Sequence, residues 1–303
     1  MDNYSFVLVN INKMQFHKYI YDSITQLRLT NPDSHIYLCC HKKTCEDSID
    51  ELWFRERNVH IVDLHHNLMF PSHIMYKTMV RRNPHAERFF IVYELMRRKR
   101  LKNVIHIEND VMVYQNMSNF IEPMSMLYKV GITRQSDEMC IAGFVYLRNW
   151  KAAQQLARYF LFHYNKNDMF GLSDFCKKNK HSLLPVIPKG YEDVYEMTFE
   201  SPTDGMMHTV ADKYEYSECF ESLKLIFDAA ALGQYVGGVD KRVDSSDTSG
   251  FVNTNACYKA KDLNLFWDID DGLKKPYIKF GDNRYPVANL HIHSKELNKY
   301  LSC

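Results

Sequence analysis

The sequence is informative first through what it lacks. No apolar run approaches the roughly 20 residues that a membrane-spanning helix needs, and the N-terminus has no basic region of the kind that opens a signal peptide. The net charge of +1 favours neither nucleic acid nor an anionic membrane as a partner. Shares of 46% apolar and 25% charged residues exclude disordered, collagenous and coiled-coil chains. We therefore expect a soluble globular protein whose 303 residues can bury a sizeable core.

Several kinds of motif are also missing. The sequence contains no P-loop, G-x-G-x-x-G, H-E-x-x-H or G-x-S-x-G string, which argues against NTPases, dehydrogenases, zinc proteases and serine hydrolases. It contains no nucleic-acid-binding module. Its eight cysteines are scattered without C-x-x-C spacing, and several lie within apolar runs. We expect free thiols in a reducing compartment, and hence a cytoplasmic protein.

Short apolar runs rich in β-branched residues alternate with longer helical patterns through the first half of the chain. This alternation is typical of βαβ units, and it predicts an α/β fold with a mostly parallel, mixed sheet flanked by helices. Strands are predicted at 5–9, 35–40, 59–62, 104–107, 129–133 and 141–147. Helices are predicted at about 18–30, 46–57, 85–101 and 150–164, and loops are expected to dominate from about 165 to 262.

The strongest local motif is VIHIENDVMVY at 104–114, in which an apolar strand leads directly into Glu108, Asn109 and Asp110. Ligands of open α/β sheets bind beyond the carboxyl ends of the strands. Residues two apart in extended chain point the same way, so Glu108 and Asp110 can face one point. Oxygen ligands of this kind suit Mg²⁺ or Mn²⁺, which would offset the repulsion between the two carboxylates. The alternative is a solvated strand-to-turn junction.

A second polar cluster lies in the string NLHIHSK at 289–295. Alternation places His291 and His293 on one face of a strand, with apolar residues on the other. Neutral imidazole binds Mn²⁺ or Zn²⁺, and Lys295 is a cation suited to a phosphate, although histidines are often structural. Taken with the acidic motif, the cluster predicts a metal site that handles a diphosphate. Asp110 and one histidine would be ligands, and we prefer His293 because it is nearer to the lysine.

These residues resemble a known family, the metal-dependent glycosyltransferases of the GT-A fold. Glu108-Asn109-Asp110 is similar to their short acidic D-x-D signature, with Glu in first place. The resemblance implies a Rossmann-like, GT-A-like sheet, in which Asp110 binds Mn²⁺ (or Mg²⁺) directly and Glu108 holds the ribose or reaches the metal through water. In glycogenin-like members a C-terminal histidine joins the metal and a lysine meets the diphosphate, which implies the latter role for Lys295. The HIHSK spacing is tighter here and leaves either histidine as a candidate ligand.

The strand CIAGFVYLRN at 140–149 resembles the one that follows the acidic signature in such enzymes. There, the small pair matched by Ala142 and Gly143 lets the donor sugar lie against the backbone. Asn109 would belong to the same nucleotide-sugar site.

Three further residues are weaker candidates for contacts with the nucleotide-sugar. Asn10 and Asn12 follow the first strand, where a nucleotide base commonly sits in doubly wound folds, although both are also ordinary turn formers. Arg88, on the helix before the acidic motif, could reach a donor phosphate or sugar, but an exposed helical arginine is the alternative.

The stretch FDAAALGQYVGGVD at 227–240 resembles the acceptor-side segment of glycosyltransferase-like proteins from bacterial and viral surface-glycan pathways, which often end in an LHIHSK tail. Its small residues permit close backbone approach, and an Ala-rich helix stopped by glycine is the alternative. Asp228 is the preferred general base, because burial beside Phe227 and the alanines would raise its pKa. Asp168 is the second catalytic candidate, through its similarity to the polar pair near the donor sugar in GT-A enzymes.

These features predict one GT-A-like catalytic domain over 1–303, with a donor half at 1–150 and an acceptor half with the metal-binding tail at 151–303. The expected activity is Mn²⁺-dependent transfer of a sugar from a UDP- or GDP-sugar to a hydroxyl of a glycan or other acceptor. Two alternatives remain open. One is a metal-dependent hydrolase that uses the two histidines and carboxylates, and the other is a catalytically silent sugar- or nucleotide-binding protein.

Overall fold

A computed structural model describes residues 4–11, 16–42, 50–64, 81–163, 167–240 and 249–303. Its strands are β1 (Ser5–Asn10), β2 (His35–Cys40), β3 (Val59–Asp63), β4 (Lys102–Ile107), β5 (Val111–Val113), β6 (Val130–Arg134), β7 (Cys140–Asn149), β8 (Leu183–Leu184), β9 (Thr198–Glu200), β10 (Met207–Thr209), β11 (Leu265–Asp270), β12 (Leu273–Phe280), β13 (Asn283–Pro286) and β14 (Asn289–His291).

Seven of these strands form a central sheet in the order β3-β2-β1-β4-β7-β6-β8. β1 to β4 run parallel, whereas β7 is antiparallel to both β4 and β6. The predicted mixed α/β sheet is confirmed, and its predicted strands agree with the observed ones to within two residues.

The described helices are α1 (Tyr19–Thr30), α2 (Glu51–Glu56), α3 (Glu87–Lys99), α4 (Ile121–Leu127), α5 (Trp150–Phe162), α6 (Asp168–Lys178), α7 (Tyr191–Val194), α8 (Phe220–Leu223) and α9 (Leu232–Gly237). None of them combines the length and the apolarity that crossing a membrane requires. The prediction that loops dominate after residue 165 is wrong for α6. Asn167 caps this helix by accepting a hydrogen bond from the Phe170 amide, and one apolar face of the helix is buried.

Local sequence accounts for both ends of helix α3. The Asn83 side chain accepts from the Ala86 amide, and a short 3₁₀ turn (Pro84–Ala86) leads into the helix. At the other end, Glu94 pairs with Arg97 and Arg98, so two of the four consecutive basic residues at 97–100 have a partner within the helix itself. Arg100, in the left-handed conformation, ends the helix.

Apolar residues pack on both faces of the central sheet. One cluster lies between the sheet and α3, α5 and α6, where the rings of Phe89 and Phe160 stack with centroids 5.0 Å apart. The other cluster includes α1 and α2 on the opposite face. Because both faces are covered, the carboxyl ends of β1 and β4 are the natural place for a ligand.

The C-terminal strand returns to the acidic motif. β14 pairs antiparallel with β5, with His291 opposite Val111, and the Ile292 amide donates to the Asp110 carbonyl at 2.9 Å. Further along, the Ser302 amide donates to the Gln26 side chain of α1. Leu290, Ile292 and Leu297 are fully buried, so this tail is part of the core. The pairing carries the C-terminal histidines to the end of β4.

Candidate metal centre

A cleft of about 540 Å³ lies at the carboxyl ends of β1 and β4. Six of the residues that the sequence singled out line it: Asn10, Arg88, Glu108, Asn109, Asp110 and Lys295. The candidate Asn12 lies outside the described residues. The sequence prediction that ligands meet at this edge of the sheet therefore corresponds to a real concavity.

Three side chains in this region form a group that could hold a metal ion. Glu108, Asp110 and His291 each offer one ligand atom, and these atoms lie within 4.8 Å of one another. Nε2 of His291 is 3.1 Å from Oδ1 of Asp110 and 3.6 Å from Oε2 of Glu108. Two carboxylates and one imidazole fit a divalent cation such as Mn²⁺, because they supply charge and leave coordination positions for ligand oxygens.

A turn, and not extended chain, brings the two carboxylates together. β4 ends at Ile107, and the Val111 amide donates back to the Glu108 carbonyl at 3.1 Å. The side-chain amide of Asn109 donates to the Val9 carbonyl at 3.3 Å, which ties the turn to the end of β1. The expectation that alternation in a strand would align the carboxylates is therefore wrong in detail, although they do converge.

Arg88 is buried, so the alternative of an exposed helical arginine is wrong. Its guanidinium pairs with Glu108, lies 3.3 Å from Oδ2 of Asp168, and donates to the His85 carbonyl at 2.7 Å. On the opposite side of the metal group, the Lys295 ammonium pairs with Asp110. The site is thus a row of alternating charges that runs from Asp168 to Lys295.

The electrostatics follow from this row. Burial opposes ionisation of Asp110, but His291 and Lys295 hold the pKa of this carboxyl well below its usual value. Glu108 behaves similarly, because Arg88 and then His291 outweigh burial and lower its pKa. Burial alone would lower the pKa of His291, but the neighbouring Asp110 carboxylate raises it. Both carboxylates are therefore ionised at neutral pH and available to a cation.

The preference for His293 as the histidine ligand is not supported by the geometry, which favours His291. Nδ1 of His293 lies 2.9 Å from the Gln234 side-chain nitrogen, and the Gln234 oxygen in turn accepts from Asn253 at 2.8 Å. Burial, and then the nearby His291, lowers the pKa of His293 to about 3. Its ring packs edge-on against that of His291, with centroids 4.3 Å apart. His293 is thus a neutral neighbour that supports the ring of His291.

Gly143 lies directly against the His291 ring. A Cβ atom added at Gly143 would lie 3.0 Å from Nδ1 of His291, so the missing side chain makes room for the imidazole. The adjacent Ala142 is buried in the core cluster beneath α3. Of the small pair, Gly143 is therefore the residue that makes room for the His291 ring.

We expect Gly143→Ala to weaken Mn²⁺ binding on the order of tenfold, because the added methyl group displaces the His291 ring from the two carboxylates. Isothermal titration with Mn²⁺ measures this change. Gly131→Ala is the matched control, since its added Cβ would meet the Leu184 side chain at the same 3.0 Å. Equal Mn²⁺ affinity in the two variants would contradict the placement of His291 as a ligand.

The two carboxylates proposed as catalytic lie in different surroundings. Asp228 is 0% exposed, and its oxygens accept from the amides of Leu232, Gly233 and His291, each at 2.9 Å. Burial raises the pKa of Asp228 as expected, but no surface is left through which an acceptor hydroxyl could reach it. Asp168, at the start of α6, is adjacent to the cleft through Arg88.

Sequence reasoning missed three residues that line the cleft: His17, Tyr19 and His85. The rings of His17 and Tyr19 are stacked, with centroids 5.1 Å apart, and Lys295 Nζ lies 5.8 Å from the centre of the Tyr19 ring. The available signal for His17 and Tyr19 was their position, just before and at the start of the first helix, where doubly wound folds bind ligands.

No protein-family model matches the sequence, and no curated protein is significantly similar to it. Similar solved structures include the apo form of mouse xyloside xylosyltransferase 1, at 12% identity and a TM-score of 0.41, over 63% of this chain and 92% of that one. The glycosyltransferase GlyE of Streptococcus pneumoniae aligns at 15% identity and a TM-score of 0.38, over 61% of this chain and 45% of that one, so this chain spans less than half of its length. An active-site mutant of LgtC aligns at 12% identity and a TM-score of 0.35, over 59% of this chain and 71% of that one. At these values the activity has to be inferred from the residues of this chain itself.

Proposed function

We propose that this protein is a metal-dependent glycosyltransferase that takes a sugar from a UDP- or GDP-sugar and places it on a hydroxyl of a glycan or other acceptor. One observation carries the proposal. Glu108, Asp110 and His291 converge within 4.8 Å of one another, and a lysine and a buried arginine flank them at the cleft. Carboxylates can hold a metal ion and neighbouring cations can bind phosphate oxygens, so this combination suits a substrate that contains a diphosphate.

Each flanking group has a role in this proposal. When bound, Mn²⁺ would offset the charge that develops on the leaving diphosphate. Lys295, at the edge of the cleft, would exchange its pairing with Asp110 for a diphosphate oxygen. Arg88 holds Glu108 in place and connects it to Asp168, which would face the donor sugar. The stacked rings of His17 and Tyr19 would pack against the base or ribose.

The chain organisation follows from the same proposal. The carboxylate ligands come from the donor half at 1–150, whereas His291 and Lys295 come from the tail of the acceptor half at 151–303. Asp168 is the better placed of the two candidate catalytic carboxylates, because it lies beside the cleft and Asp228 is enclosed.

Thermal unfolding with UDP and with GDP, each with and without Mn²⁺, tests the binding part of this proposal. Ligand linkage predicts a rise in Tm of several degrees for the correct nucleotide with Mn²⁺, at about 100 times its Kd. Release of the nucleoside diphosphate from UDP- and GDP-sugars then tests turnover. Release that needs an acceptor supports transfer, and release that is equally fast without one indicates a hydrolase. A Tm shift without release from any donor indicates a silent binding protein.

We expect Lys295→Met to separate metal binding from donor binding. The KM for the nucleotide-sugar should rise about tenfold, since a charge-assisted hydrogen bond to the diphosphate is lost. Affinity for Mn²⁺ alone should rise, because a neighbouring positive charge is removed and Asp110 is released. Lys299→Met, which removes an exposed lysine paired with Glu296 on the same tail, is the control. If Lys295→Met lowered the affinity for Mn²⁺ without donor as much as the affinity for the nucleotide-sugar, the proposed role of Lys295 would be contradicted.

A further inference from the structure

The carboxylate of Asp228 lies at a junction between two segments that are distant in sequence. Its Oδ1 accepts from the Leu232 amide, and its Oδ2 accepts from the amides of both Gly233 and His291, all at 2.9 Å. The side chain is completely buried. One oxygen atom therefore connects the start of α9 to the backbone of a candidate metal ligand, over a sequence separation of 63 residues.

The contact between the two segments is unusually close. A Cβ atom added at Gly233 would collide with the His291 carbonyl oxygen and would lie 2.6 Å from the His291 nitrogen, so only glycine allows the backbones to meet. The Asn289 side chain adds two longer hydrogen bonds, one to the Asp228 amide at 3.3 Å and one to its carbonyl at 3.4 Å. Hydrogen bonds to Asp228 thus hold β14 at both ends, through the Asn289 side chain and the His291 amide.

The His291 side chain extends from this held backbone toward the two carboxylates. The imidazole lies between Gly143 and the two carboxylates, and the direction of its ring depends on where its backbone is held. In metal sites, mutation of a group that orients a ligand typically lowers metal affinity about 10- to 100-fold. A displacement of the His291 backbone would therefore change the geometry at the metal.

We propose that Asp228 is a positioning residue, whose carboxylate fixes the backbone of His291 so that the imidazole stays directed at Glu108 and Asp110. This inference rests on the proposed metal-dependent function. It replaces the general-base role that the sequence suggested for Asp228, since both oxygens already accept backbone hydrogen bonds and neither reaches the surface.

Asp228→Asn tests the inference, because an amide nitrogen in place of one oxygen removes at least one of the three acceptor contacts. Mn²⁺ binding, measured by electron paramagnetic resonance without any substrate, should weaken about 10- to 100-fold. The Mn²⁺ concentration for half-maximal turnover should rise by the same factor, while kcat at saturating Mn²⁺ stays within about twofold of wild type. A positioned base would give the reverse result, with unchanged Mn²⁺ affinity and a kcat about 10² to 10⁴ lower, and would overturn the inference.

Glu192→Gln is the matched control. Glu192 is also buried, and its carboxylate accepts from the Gly190 amide at 3.1 Å and the Ser217 hydroxyl at 2.7 Å, away from the metal group. Its variant should lose stability but keep the wild-type Mn²⁺ affinity. An equal loss of Mn²⁺ affinity in both variants would show a general effect of destabilisation and overturn the inference.

Three further outcomes are decisive. If Asp228→Asn does not yield folded protein, Asn289→Ser replaces it, and its Mn²⁺ affinity should fall about threefold; unchanged affinity in that folded variant would overturn the inference. Wild-type protein that does not bind Mn²⁺ would overturn the metal site together with this inference. Wild-type binding with equal binding by Asp228→Asn would overturn the positioning role alone.

Discussion

Asp110→Asn is expected to abolish measurable Mn²⁺ binding and to lower kcat/KM for sugar transfer about 10³-fold, since metal coordination contributes several kcal/mol to stabilising the transition state. The substitution preserves shape but removes the negative charge that His291 and Lys295 face. Asp110 lies at a turn, and its carbonyl still accepts from the Ile292 amide, so the fold should persist. Mn²⁺ titration and diphosphate release, at the Mn²⁺ concentration that saturates wild type, measure the two effects.

Asp270→Asn provides the control for that experiment. Asp270 also pairs with a lysine, Lys275, at 3.0 Å and accepts from the Tyr277 hydroxyl at 2.8 Å, but it lies on the separate β11-β12-β13 sheet. Its variant should bind Mn²⁺ and turn over as wild type does. Wild-type turnover by Asp110→Asn would refute the metal centre.

Gly233→Ala should destabilise the protein by about 3 kcal/mol or more, at the upper end of the range for overpacking, because the added methyl group meets backbone that cannot rotate away. The variant can relax only if α9 separates from β14, which breaks the hydrogen bonds of Asp228 and shifts His291. Chemical denaturation should show a lower midpoint. The protein that remains folded should bind Mn²⁺ more weakly than wild type.

Gly237→Ala, in the same helix, separates the close approach from a general effect of alanine in α9. Its added Cβ would lie 3.2 Å from the Ser294 hydroxyl, a side-chain atom that can move. We expect a change in unfolding free energy of less than about 1 kcal/mol. If the two glycine variants lose the same unfolding free energy, the close contact between Gly233 and His291 does not explain the loss of stability.

The order of strands and helices was accessible from local pattern, because it depends on short-range regularities. Apolar β-branched runs predicted β1 to β4, β6 and β7 to within two residues, and the helix predicted at about 85–101 corresponds to α3. Helix α6 was missed because glycine and polar residues obscure its one buried face. Local periodicity cannot show that such a short face packs against a distant sheet.

For the site, two sequence motifs indicated Glu108, Asp110 and a C-terminal histidine with Lys295, since acids at a strand end and imidazoles in a terminal string are chemically conspicuous. The sequence favoured His293 for its nearness to Lys295, whereas the geometry favours His291. That choice depends on the register of β14 against β5, which aligns His291 with Val111 and leaves His293 beyond the strand, beside Gln234. Register is a property of packing between segments and not of either segment.

By itself, then, the sequence determined the α/β layout and the set of chemical groups that a cation and a diphosphate would need. Only the tertiary structure decided what each group does: Arg88 is buried against two carboxylates, Gly143 makes room for an imidazole, and Asp228 holds a backbone. The reason is physical. Burial, ring direction and hydrogen-bond partners are set by contacts between residues far apart in the sequence, such as Asp110 and Lys295 at a separation of 185 positions, and no local pattern encodes such contacts.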